Sequence, residues 1–210
     1  MKKYKTIKED GVIQIDIKKS QFICHLKRVT SEEEAREFIN SLRKEHYKAN
    51  HNCSAFILGE QSSTKRSSDD GEPSGTAGVP MLTVLENHEL TDVVAVVTRY
   101  FGGIKLGAGG LIRAYAGAVA EAVKKIGCVL VKEQQGIQVT LSYAQYQDFA
   151  KWCSENGLVE YDTQFLETVT TTLYVDKEDT QTTINSLRDY YHGKIHATET
   201  SVRVVEIPIN

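Results

Sequence analysis

Residues 69–117 concentrate the side chains with the most chemical potential in this chain. Asp69, Asp70 and Glu72 place three carboxylates on one loop. Such a group suits a divalent cation, or a general acid and base. Ser74 and Thr76 follow in Pro73-Ser74-Gly75-Thr76-Ala77-Gly78. Their hydroxyls and the neighbouring backbone N–H groups can cap a helix and resemble the surroundings of an anion pocket. Farther on, Arg99-Tyr100-Phe101-Gly102-Gly103-Ile104-Lys105 alternates basic and aromatic groups at the end of an apolar run. Arg99 and Lys105 can neutralise phosphates, and Tyr100 or Phe101 can stack on bases. Gly107, Gly109 and Gly110 then lead into a helical stretch carrying Arg113. Free N–H groups at a helix start attract anions. His51, upstream in Lys48-Ala49-Asn50-His51-Asn52-Cys53, can line the same site.

Each feature also has a plainer explanation. An acidic Gly-containing turn is usually solvated. A ring beside a buried strand is often core, and Arg99 can simply pair with Asp69, Asp70 or Glu72. Cys53 lies on an expected strand, where an inert thiol is commoner than a nucleophile. There is no G-x-x-x-x-G-K-[ST] sequence, and the 107–110 glycines lack the G-x-G-x-x-G spacing. The cysteines and histidines show no metal-ligand spacing, so neither a metal nor a cofactor is expected.

These groups need a scaffold. More than half of the 15 glycines fall in residues 69–117. Glycine costs backbone entropy, so the crowding points to strained turns or to close approach of the backbone to something else. Residues 12–17 and 21–26 read as strands. Ser31 and Glu34 form a capping-box pattern ahead of a helix through Ala35, Phe38, Ile39 and Leu42 that ends near His46. A strand is expected over 52–58 and a mobile polar loop over 59–70. Residues 76–86 are consistent with a short helix. A buried strand over 93–100 and a long helix over 107–127 follow. The small residues Ala114, Ala116, Gly117, Ala118 and Ala120 let that helix pack closely.

Beyond it, 129–141 is strand-like with a break at Glu133-Gln134-Gln135-Gly136. A helix over 143–156, two strands over 159–166 and 169–175, a helix over 177–191 and a strand over 195–208 complete a β-α-β-β-α-β order. That is the ferredoxin-like split βαβ arrangement. The expected fold class is α+β in two domains, 1–134 and 135–210.

The composition is 40% hydrophobic and 25% charged with a net charge of −3, as for an ordinary soluble globular protein. The acidic balance argues against non-specific coating of nucleic acid, though a local basic patch remains compatible with it. The basic start Met1-Lys2-Lys3 is followed by charge instead of an apolar core, so no signal peptide is expected. No apolar run reaches membrane-spanning length. Four widely separated cysteines without a C-x-x-C pair read as free thiols of a cytoplasmic protein.

Three stretches carry a resemblance to the IMPACT family, in particular its bacterial YigZ-type members. They are Ala49-Asn50-His51-Asn52-Cys53, then Asp69-Asp70-Gly71-Glu72-Pro73-Ser74-Gly75-Thr76-Ala77-Gly78-Val79-Pro80, and the run from Arg99-Tyr100-Phe101-Gly102-Gly103 to Leu111-Ile112-Arg113-Ala114-Tyr115. Asn50 stands where many members have Thr. The resemblance implies a first domain with the fold of the second domain of a small-subunit ribosomal protein. It implies a second domain similar to the ferredoxin-like domains of elongation factor G. It favours a non-catalytic RNA- or ribosome-binding protein acting in the regulation of translation. The alternative is a metal-assisted hydrolase or phosphotransferase using Asp69, Asp70 and Glu72. A third possibility gives these residues a purely structural role. The oligomeric state is open.

Overall fold

A computed structural model describes residues 3–209. They divide into two compact units, one of 3–131 together with 206–209 and one of 132–205. The protein is a two-domain α+β chain. The boundary expected at 134/135 falls inside a strand, Cys128–Leu141, that begins in one unit and ends in the other.

The first unit opens with β1 (Lys3–Ile7). A five-stranded sheet follows in the order β2-β3-β6-β4-β5. Its strands are β2 (Gly11–Ile17), β3 (Ser20–Arg28), β4 (His51–Leu58), β5 (Thr64–Ser68) and β6 (Val93–Tyr100). All four neighbouring pairs are antiparallel. The helices are α1 (Glu32–Glu45), α2 (Gly78–Asn87) and α3 (Ala108–Ile126).

Strand β6 is the centre of the sheet, and its apolar run has no polar alternation because both its faces are covered. Val94 and Val96 pack with Phe56, Leu58 and the Ala35, Ile39 and Leu42 stripe of α1. Val93, Ala95 and Val97 pack on the opposite side with Met81 and Leu85 of α2 and Leu111, Ala114, Tyr115 and Ala118 of α3. The small residues of α3 admit the large ones of the sheet. Tyr115 and Phe22 meet edge-on, with centroids 5.3 Å apart. Each such fully buried apolar side chain contributes about 1.5–3 kcal/mol.

The ends of the elements follow the local chemistry. Ile17 pairs with Ser20, so Lys18 and Lys19 make a two-residue turn with φ of 46° and 67°. Positive φ at both positions is the turn geometry that suits a twisted hairpin. Ser31 Oγ caps α1 by accepting from Glu34 N at 3.2 Å. Glu34 reaches one residue past the cap, to Thr30 N at 2.7 Å. Gly107 and Gly127 cap α3 with φ of 71° and 81°, matching the helix expected over 107–127.

Residues 59–70 are not the mobile loop expected. Five of them form β5, paired with β4 from Ser54↔Ser68 to Leu58↔Thr64. Thr-Lys-Arg-Ser-Ser lacks an apolar face because an edge strand is held by its backbone ladder, and charged side chains keep such an edge from pairing further.

The second unit contains most of β7 (Cys128–Leu141), α4 (Tyr143–Glu155), β8 (Tyr161–Phe165), β9 (Val169–Val175), α5 (Thr180–Tyr190) and most of β10 (His196–Ile209). The strand order is β10-β7-β9-β8, which is the split βαβ topology. Its core joins Ile137, Val139 and Leu173 to Phe149 and Trp152 of α4 and to Ile184 and Leu187 of α5. The break expected at 133–136 is absent. Gly136 sits there because a Cβ would come within 2.5 Å of the Ser201 carbonyl. The glycine marks close backbone approach, one of the two meanings it has inside a strand.

Candidate functional site

The loop between β5 and α2 is organised by its acids. Asp69 Oδ1 accepts from Ala77 N at 3.0 Å and Gly78 N at 2.8 Å, and Oδ2 accepts from Gly75 N at 2.8 Å. Burial pushes its pKa up, but the bonds from Gly75, Gly78 and Ala77 outweigh that and hold it below the ordinary value. Asp69 therefore caps α2. The expectation gave that task to Ser74 and Thr76. Ser74 is exposed, and the buried Thr76 hydroxyl donates to the Pro73 carbonyl at 2.6 Å. Gly78 is required here, since a Cβ would meet the Ser68 backbone at 2.7 Å.

Asp70 turns the other way. Its φ is 44°. Its carboxylate accepts from Arg43 Nη2 at 2.8 Å and from Asn52 N at 2.6 Å. Its carbonyl accepts from His51 Nδ1 at 2.8 Å. A carbonyl can only accept, so Nδ1 of His51 carries the proton, and Nε2 faces Glu72 Oε2 at 3.7 Å.

Glu72 is buried. Its Oε1 accepts from Arg99 Nη1 at 2.6 Å and from the Tyr115 hydroxyl at 2.7 Å. Arg99 is only 6% exposed, and its guanidinium lies between the rings of Phe22 and Phe101, 5.4 and 5.5 Å from their centroids. Its Nε has no partner among the described residues. The three carboxylates thus serve three different ends. Among the described residues no group of three or more His, Cys, Asp or Glu is placed to hold a metal ion.

Cys53 sits beneath this loop, its Sγ 3.0 Å from the Asp69 carbonyl. Burial pushes the thiol up to about 12, and the charges of Glu72, Asp70 and Asp69 add to that against the Tyr115 hydrogen bond. At neutral pH the thiol is protonated and unreactive. Burial likewise raises the Tyr115 pKa, so its hydroxyl remains a donor.

Around the Arg99–Glu72 pair opens a cleft of about 440 Å³, lined among others by Asn50, His51, Phe101, Lys105, Gly107 and Leu111. It brings Glu72, Arg99, Lys105, Gly107 and His51 together. Gly109 and Gly110 lie in the first turn of α3, whose start has no side-chain cap, and Arg113 stands about one turn on; none of the three lines the cleft. Ser74, Thr76 and Tyr100 do not line the cleft. Tyr100 instead shares a hydrogen bond of 2.9 Å with His46 Nδ1. Successive residues of β6 face opposite sides of the sheet, so Tyr100 leaves the side that Arg99 occupies. Phe101, 44% exposed, is the ring that lines the cleft. Strand alternation alone could have separated the two aromatics.

Two further contributors were not among the expected site residues. Asn50 Oδ1 accepts from Phe101 N at 2.8 Å and fixes the turn after β6. The Lys18-Lys19 tip lies against Gly102, where a Cβ would be 2.0 Å from the Lys19 carbonyl carbon. Both lysines are exposed, so the β2–β3 turn adds positive charge beside the 101–105 turn.

Residues 18–123 match the family described as Impact N-terminal domain, and residues 139–194 match a domain of unknown function, DUF1949. The chain is 43% identical over 207 residues to the IMPACT family member YvyE of Bacillus subtilis (strain 168), covering 99% of this chain and 95% of that one. It is 45% identical over 113 residues to the IMPACT family member YigZ of Escherichia coli (strain K12), covering 53% and 55%. A crystal structure described as that of an hypothetical protein superposes with a TM-score of 0.61 at 29% identity, covering 96% of this chain and 98% of the other.

Proposed function

The chain belongs to the IMPACT family, and from that premise we propose that it is a non-catalytic protein that binds RNA or the ribosome and acts in the regulation of translation. The observation that carries this reading is the charge arrangement of the cleft. Its one buried acid, Glu72, is already taken by Arg99 and Tyr115. What remains presented is Lys105, the uncapped start of α3 and the exposed ring of Phe101. Cation and helix start together favour phosphate. A ring beside them favours a base.

In this reading Lys105, Arg113 and the N–H groups after Gly107 meet phosphate, and Phe101 stacks. Arg99 acts by positioning, because its charge is already paired. His51 and Asn50 hold the walls. The protein works in the cytoplasm and needs no cofactor. The alternative of metal-assisted hydrolysis has no observation in its favour, since Asp69 caps a helix, Asp70 anchors a loop and Glu72 closes an ion pair.

Co-sedimentation with ribosomes across a salt series tests the proposal. Each phosphate contact removed lowers the slope of log K against log salt by about 0.7–0.9. Lys105→Ala and Arg113→Ala should each weaken binding and flatten that slope. Folded variants that bind with native affinity and native slope would overturn the assignment of phosphate to the start of α3.

A further inference from the structure

On the other face of the sheet, beside α1, lies a second cleft of about 250 Å³ into which Arg36, Arg43 and Arg66 converge. Arg36, Asn40 and Arg43 occupy one stripe of α1, at spacings of four and three. Arg66 comes from β5, where it is paired with Phe56 of β4. Ile39, Phe56 and Ser54 complete the lining. Ser54, 5% exposed, brings a hydroxyl-bearing side chain to this lining.

Acids hold two of the guanidiniums by part of their edges, and a backbone carbonyl holds the third. Glu32 Oε1 accepts from Arg36 Nε at 3.1 Å and Nη2 at 2.6 Å, and lies 3.9 Å from Arg66 Nε. Asp70 Oδ1 accepts from Arg43 Nη2. Arg66 Nη1 donates to the Lys65 carbonyl at 2.9 Å. Arg36 Nη1, Arg43 Nη1 and Arg66 Nη2 make none of these bonds. Glu32, Asp70 and the Lys65 carbonyl thus each tether one fork on the surface, where the arginine side chains stay 63%, 41% and 58% exposed, and this lowers part of the ordering cost of binding. Three cations face two acids, and Ser54 adds a hydroxyl to the lining. Guanidinium forks match the oxygens of a phosphoryl group better than any other common anion site built from side chains.

We propose that this cleft binds a dianionic phosphoryl group, as inorganic phosphate or as a small phosphate monoester. Its volume is below the range of pockets that enclose drug-sized ligands, so the phosphoryl group itself is what it recognises. The site does not depend on RNA binding by the other cleft. Asp70 links the two, because the carboxylate that holds Arg43 also holds Asn52 N, and the same residue's carbonyl holds His51.

Titration calorimetry of the whole protein with inorganic phosphate, at ionic strength fixed with chloride and well above the second ionisation of a phosphate ester (~6), tests this. One saturable site is expected. Arg36→Gln and Arg66→Gln leave the Asp70 contact intact and should each weaken it by about tenfold or more. Lys44→Gln, a charge-matched change outside the cleft, and Lys105→Ala, in the other cleft, should leave it unchanged. Glycerol phosphate binding more tightly than inorganic phosphate would identify an ester as the ligand, and equal or weaker binding would identify free phosphate. Either result upholds the site. Absence of saturation in the native protein would overturn it. So would native affinity in Arg36→Gln and Arg66→Gln proteins that melt as the native protein does.

Discussion

Glu72 and Arg99 form an ion pair with side chains only 3% and 7% exposed, 2.6 Å apart, and Tyr115 donates to the same carboxylate oxygen. The pair is out of water, so its two members are not separately dispensable. Removing one leaves the other as an uncompensated buried charge. Arg99→Ala should cost about 3–5 kcal/mol of stability by denaturant titration. A loss under about 1 kcal/mol, the range of exposed pairs, would mean that water reaches Glu72.

Any binding defect of an Arg99 variant must be read against that cost. Lys105→Ala and Arg113→Ala remove exposed charges, so their thermal melts should stay close to native. Asp70→Asn is a poor control for simple repulsion, because Asp70 anchors Asn52 and Arg43. It should loosen the loop, seen as faster amide exchange at Asn52.

His25 sets a pH dependence of its own. Burial and the charge of His46 hold its pKa below 6.5, against the pull of Glu45. Between that lowered value and 6.5 the unfolded chain binds more protons than the folded one, so stability rises with pH. On acidification stability should begin to fall below about pH 6.5 and stop responding to this group beneath its folded pKa. His25→Phe, which keeps a ring and removes the titration, should flatten that part of a stability–pH curve. An unchanged curve would assign the effect to other groups.

Two glycines should respond in opposite senses. Gly102→Ala places a methyl against the Lys19 backbone, which has no flexible end to give way. A loss of about 1–3 kcal/mol or more is expected, as for overpacking. Gly117→Ala, inside α3 with nothing within 4 Å, should stabilise by about 0.5–1 kcal/mol. Chemical denaturation of both reads the contrast directly.

A fragment of 132–205 should unfold cooperatively on its own, because Ile137, Phe149, Trp152 and Leu187 close a core within it. A broad transition without a heat-capacity peak would show that it depends on the remainder of the chain.

Regular elements with a clear period were legible in the sequence. The α1 stripe, the α3 limits at Gly107 and Gly127, the unbroken apolar run of β6 and the β-α-β-β-α-β order all follow from local pattern. Strand β5 was not, because its pairing with β4 is a matter of backbone and its side chains carry no periodicity. The carboxylates of 69–72 could be grouped but not assigned. Three acids in one loop look alike until the fold sends one to a helix start, one to a strand amide and one to a buried arginine. Likewise Lys18 and Lys19 come beside Gly102 only through the β3–β6 pairing.

The last strand carries a consequence for synthesis. Arg28 holds Glu206 with two nitrogens, at 2.7 and 2.9 Å, across a sequence separation of 178. Both belong to the first unit, although the whole of 132–205 lies between them. A chain emerging in order can complete the second unit from contiguous residues. The core of the first is built from residues 7–128, but its Arg28–Glu206 pair can form only after Glu206 has been added. Until then Arg28, with its Nε on the Ile7 carbonyl, waits with its outer nitrogens in water. The unit whose core is translated first is therefore the one that gains its last ion pair latest.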